Sequence, residues 1–205
     1  MPLVGAYVRA VLASGGQRYL SKNNNNVLRL PALRRAFPKA AILVPFREPL
    51  AHAASLQRQH RRFVAMQGRD PFVRDYMTWL GHHEFGRDHR PFVFDAEGGA
   101  RIAARDPDGI DHWLELWVQT YTWLERTAPP GTVFVPYERL CRDPAVWRYV
   151  AALAGIDPSA GAPFVEAAVA PDVNADRDLA AKAAALHHRL LERWPAAPDK
   201  AVSAA

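Results

Sequence analysis

Apolar positions along the chain fall into short unbroken runs and into stripes three or four residues apart. Ala40 to Phe46 is such a run, bounded by Phe37-Pro38-Lys39 and Arg47-Glu48-Pro49, and it reads as a strand buried on both faces, the kind found in parallel sheets. Thr132 to Val135 makes a second short strand, and Gln17 to Ser21 reads as a third. The stripes predict helices. The N-terminal MPLVGAYVRAVLASGG reads as an amphipathic helix ended by Gly15-Gly16. Val27, Leu28, Leu30, Leu33 and Phe37 lie on a helix capped by one of Asn23 to Asn26 and stopped by Pro38. Pro49 suits a first helical position and opens a helix to about Met66 that ends near Gly68. Trp113, Leu114, Trp117, Tyr121 and Leu124 share a stripe over residues 110–126, and aromatic residues at this spacing are assigned to the core. Asp143-Pro144 supplies a cap and first-turn proline for a helix that stops at Gly155, and a last helix spans 178–194. Residues 67–109 read as loop-rich, and a segment of this length is more often a lid or binding segment than a plain connection.

The 205 residues suffice for one core, so the expectation is one helix-rich α/β domain over residues 1–194, followed by a disordered Ala-rich tail, 195–205. A net charge of +5, with Arg far commoner than Lys, suits partners that carry phosphate or sulfate. The basic residues are spread and form no long run, which argues against nucleic acid. Cys141 is the single cysteine, so an intrachain disulfide and a cysteine-cluster metal site are excluded, and a reducing, cytoplasmic setting is expected. The N-terminus has no basic region ahead of its apolar part, and no apolar run is long enough for a membrane span. His82, His83, Glu84 and His89 lack a metal-ligand spacing, and no metal is expected.

The junction after the first apolar run carries candidate chemistry. A strand there delivers Arg47 to the start of a helix, where free backbone N–H groups and the positive end of the helix dipole favour an anion that a guanidinium can grip in bidentate fashion. Ser55, seven residues after Glu48, lies two turns along the same face and can offer a hydroxyl. The competing reading pairs Arg47 with Glu48 and leaves Ser55 an ordinary helix residue.

Taken in order, these segments resemble the sulfotransferase family, with bacterial members the nearest likeness. Ser21-Lys22-Asn23, then Asn26, Arg29 and a helix ending in Phe37-Pro38, is similar to the lysine-bearing strand end and helix ahead of the family's 3'-phosphate site. Ile42 to Ser55 looks like that site, with Arg47-Glu48-Pro49 where the family most often has Arg-Asp-Pro. Val133 to Leu140, with Asp143-Pro144 and Leu153 to Ile156, resembles the later strand, turn and helix. The likeness covers about half of the chain and rests on the ordered combination.

The resemblance implies a partial three-layer, P-loop-NTPase-like fold with a short parallel sheet flanked by helices. It also implies transfer of a sulfuryl group from 3'-phosphoadenosine-5'-phosphosulfate (PAPS) to the hydroxyl of a small molecule, lipid or carbohydrate. On this reading Arg47 and Ser55 bind the 3'-phosphate. Lys22 sits near the transferred group, where a cation stabilises the developing negative charge. Asn24 stands where some members carry a histidine base, so His82 or Glu84 is the expected general base, with His60 and His83 as further candidates. Nothing before Lys22 matches the family's Ser-Gly-Thr loop for the 5'-phosphosulfate, and the expectation is a sequence that starts late relative to its gene. A non-catalytic nucleotide- or anion-binding remnant is the alternative. Pro45 inside the strand predicts an edge or a bulge.

Overall fold

The computed structural model describes residues 2–15, 18–159, 164–166 and 174–195. Helix α1 (Pro2–Ala13) ends ahead of Gly15, whose φ of 108° closes the turn at no steric cost. The strand expected over 17–21 is not formed by its described residues, 18–21. A strand needs a neighbour to pair with, and this segment is instead anchored by side chains. The Arg18 guanidinium donates to the carbonyls of Ala154 and Gly155, and Tyr19 packs edge-on to Tyr7.

The single helix expected from the Asn run to Phe37 is divided. A 3₁₀ turn, Asn24–Leu28, is capped by Asn23, whose side chain accepts from Asn25 N at 2.9 Å. Helix α2 (Leu30–Ala36) follows. Pro31 causes the break, because it has no N–H to offer the carbonyl of Val27. That carbonyl accepts from the Trp123 indole at 3.1 Å instead.

Strand β1 (Ile42–Phe46) leads into α3 (Pro49–Arg69). Two helices follow in the region expected to be loop: α4 (Pro71–Trp79), capped by Asp70, and α5 (Ala96–Ala103), capped by Asp95. Asp-Pro signals a turn and a helix start equally well, and here the start prevails at Asp70-Pro71. Gly98 belongs to a close helix crossing, since a Cβ there would lie 2.6 Å from the Gln119 side chain. Helix α6 (Ile110–Thr127) follows, then β2 (Thr132–Pro136), a short α7 (Tyr137–Arg142), α8 (Pro144–Ala154) and α9 (Arg177–Glu192). The cap at Asp143 and the left-handed Gly155 are where the local residues place them. Of the expected tail, residues 196–205 lie outside the described residues.

β1 and β2 pair in parallel, Ile42 against Thr132 through Phe46 against Pro136. Alternate residues point to opposite faces. Ile42, Val44, Phe46 and Phe134 pack with α3, α6 and α9 around Trp113, Leu114, Trp117 and Leu186. Val135, with Leu43 and Val133, packs on α8 and Trp194. Helices therefore cover both faces of a short parallel sheet. Among the described residues β1 has a partner on one side only, where a proline's missing donor is tolerated. The Pro45 carbonyl accepts from Tyr121 Oη at 2.9 Å.

Candidate functional site

A cavity of about 410 Å³ opens between the 3₁₀ turn, β1, α3, α6 and the segment 84–92. β1 contributes Leu43, Val44 and Pro45, α3 contributes His52 and Leu56, and α6 contributes its Trp113 to Leu124 stripe. At one end stand Asn24 and Glu84, sixty residues apart in sequence, with Asn24 Nδ2 3.4 Å from Glu84 Oε1. His82 Nδ1 lies 3.3 Å from the other Glu84 oxygen. Glu84 is half-buried and lines the cavity, and His82 beside it is exposed. The two candidate bases thus occupy one place.

Lys22 is exposed in the irregular segment just before Asn23, which lines the cavity, and its ammonium has no hydrogen bond or ion pair to another described residue. Arg47 follows β1 directly and is half-buried, with its guanidinium 5.1 Å from the Tyr137 ring centre and not on the Glu48 carboxylate. Ser55 is half-buried on α3. No direct contact among the described residues joins Lys22, Arg47 and Ser55 to one another.

One expectation is corrected at the start of α3. Glu48 Oε1 accepts from Leu50 N at 3.1 Å and Oε2 from Ala51 N at 2.6 Å, while Glu48 N donates to Glu138 at 2.9 Å. The N–H groups expected to be free for an anion are therefore held by the protein's own carboxylate, the ordinary solution for an unsatisfied helix start. What remains for a phosphate is the Arg47 guanidinium and the Ser55 hydroxyl. Both fit a phosphate chemically, since among the described residues no carboxylate neutralises Arg47 by an ion pair.

His60 and His83 stand apart from the Glu84 carboxylate. His60 is buried, with Nδ1 accepting from Gly86 N at 3.3 Å, so it holds the loop in place. The His83 carbonyl lies 3.3 Å from His89 Nδ1, His89 Nε2 lies 3.0 Å from His112 Nε2, and His112 Nδ1 lies 3.2 Å from the Arg105 carbonyl. Burial, then His112 and His60, lower the His89 pKa to about 4.

His52 is the wall residue that motif reading passed over. It stands three residues before Ser55, a spacing that puts both on adjoining parts of one helix face and was available as a signal. Burial, and second the Arg47 charge, hold its pKa at about 4 against an ordinary 6.5. Between those values the unfolded chain binds the proton and the folded chain does not, so stability falls as pH drops through that window. The contribution from His52 is about 3 kcal/mol at neutral pH and is lost toward pH 4. Urea denaturation at about pH 7 and pH 4 is expected to show a smaller difference for His52→Gln than for the parent; equal differences would contradict the assignment.

Comparisons of the chain with known protein families, with curated proteins and with solved structures gave no match. Among the described residues, no helix is long and apolar enough to cross a membrane. No group of three or more His, Cys, Asp or Glu among them is arranged to hold a metal ion.

Proposed function

We propose that this chain is a PAPS-dependent sulfotransferase with a P-loop-like fold, acting in a cytoplasmic setting on a hydroxyl lodged in the cavity. The observation that carries the reading is the Glu84 carboxylate, with Asn24 and His82 beside it, on the lining of a largely apolar cavity. Glu84 accepts the proton of the attacking hydroxyl, Asn24 orients the carboxylate, and His82 connects it to water. Arg47 and Ser55 are the groups that would hold the 3'-phosphate, and Lys22 is the cation that would offset charge developing at the 5' end. When bound, PAPS supplies the sulfuryl group and an adenosine bisphosphate leaving group.

The first test is binding. At about a hundredfold excess over its Kd, 3',5'-adenosine bisphosphate is expected to stabilise the protein by about 2.7 kcal/mol. That corresponds to a Tm rise of roughly 5–10 °C for a chain of this size. Arg47→Ala is expected to abolish the rise, and a parent protein that shows none would overturn the reading. A second reading, a nucleotide-binding protein without transferase activity, is favoured by the Glu48 carboxylate that occupies the start of α3. Transfer of labelled sulfate from PAPS to any hydroxyl compound decides between the two.

A further inference from the structure

We infer that the cavity takes an apolar alcohol or phenol bearing a single hydroxyl, and not a sugar. The fate of that hydroxyl rests on the transfer reading above; its recognition does not. Much of the wall is carbon: Leu43 of β1 and Leu56 of α3 line the space together with Trp113, Leu116, Trp117 and Leu124 of α6.

Several polar atoms of the same wall are already committed. The Trp113 indole donates to the Pro107 carbonyl at 2.7 Å, and Tyr121 Oη donates to the Pro45 carbonyl. Both His89 nitrogens face other protein atoms. His52 Nδ1 and Trp117 Nε1 have no partner, but both are shut off from solvent and present no donor to the space. A sugar ring would bring several hydroxyls against a wall that is mostly carbon, and each unmet buried hydroxyl lowers affinity.

Asn23, Asn26, Arg90 and Thr120 also line the space, but Glu84 is the one carboxylate among the lining residues. A carboxylate has about four acceptor directions. Asn24 takes one and His82 lies near the other oxygen, so the carboxylate can still accept an O–H from the cavity side. One hydroxyl at one end of an apolar body is the shape and chemistry this arrangement accepts.

The inference is tested without PAPS, by titrating the full chain with 4-pentylphenol, pentylbenzene, methyl glucoside and myo-inositol and following tryptophan fluorescence and calorimetry. Saturable binding of 4-pentylphenol is expected, roughly tenfold tighter than pentylbenzene and at least about a hundredfold tighter than either polyol. Glu84→Ala is expected to remove the phenol-over-benzene preference while leaving apolar binding in place. Leu116→Asn is expected to weaken both aromatic ligands about tenfold or more, and Leu56→Gln is the substitute if that variant does not fold. Polyol binding equal to or tighter than phenol binding would overturn the inference. So would phenol binding that neither Leu116→Asn nor Leu56→Gln weakens, since the ligand would then sit elsewhere. If the bisphosphate gives no thermal shift while phenol still binds here, the transferase reading falls and the cavity assignment stands; the reverse pattern does the opposite.

Discussion

Glu84→Gln is expected to reduce sulfuryl transfer by about 10²–10⁴-fold, the span general-base removal commonly produces, while the thermal shift from adenosine bisphosphate stays at its parental value. Glutamine keeps the shape and can still meet Asn24, but it cannot take a proton from a hydroxyl. Asn24 at 3.4 Å can hold the amide much as it holds the carboxylate, so the expected loss is of proton transfer and not of placement. His82→Asn is expected to lose far less, because the imidazole is exposed and water can replace it. A Glu84→Gln enzyme with parental turnover would remove Glu84 from the chemistry and leave the cavity without its base.

The largest expected effect on stability lies at the α5–α6 contact. The Glu115 side chain is 2% exposed, and Arg101 Nε lies 3.1 Å from one carboxylate oxygen and Arg105 Nε 3.8 Å from the other. Gln119 Nε2 also donates to it at 2.5 Å. Removing both guanidiniums as Arg101→Ala with Arg105→Ala strands a buried charge, and the expected loss is about 3–5 kcal/mol by urea denaturation. Glu115→Gln is expected to cost markedly less, because the freed arginine side chains are 37% and 28% exposed and can turn to water. This asymmetry is the signature of a buried acid served by accessible bases. A double variant within 1 kcal/mol or so of the parent would mean that water reaches Glu115 and that the charge is not stranded.

Much of the architecture could be read from local pattern. The two short apolar runs, the aromatic stripe of α6, the Pro49 start of α3 and the Asp143 cap are each decided by residues within a few positions, and each forms as its residues require. The misreadings have physical causes. Asp70-Pro71 is ambiguous between turn and cap, Gly98-Gly99 hid α5 because the missing side chain at Gly98 serves a crossing with α6, and Pro31 divided what looked like one helix. The segment before Lys22 resembled a strand, but strand formation depends on a partner that local pattern does not reveal. Arg47 and Ser55 stand at the strand-to-helix junction that local pattern marks, and neither is among the residues lining the cavity. The meeting of Asn24 with Glu84, and of Glu48 N with Glu138, spans sixty and ninety residues and has no local signature. Glu48, beside Pro49, is the cap of α3 and not a partner for Arg47.

Between the carbonyls of His83 and Arg105 run three polar contacts, and two neutral imidazoles bring only two N–H groups to them. If both rings donate toward His83, the Nδ1 lone pair of His112 is left facing the Arg105 oxygen. If both donate toward Arg105, the mismatch moves to His89 and His83, and if both donate outward the two Nε2 lone pairs oppose each other. A single added proton makes every contact donor to acceptor at once. The wall of the cavity that carries His89 is therefore tied to α6 by a row that is one proton short of complete.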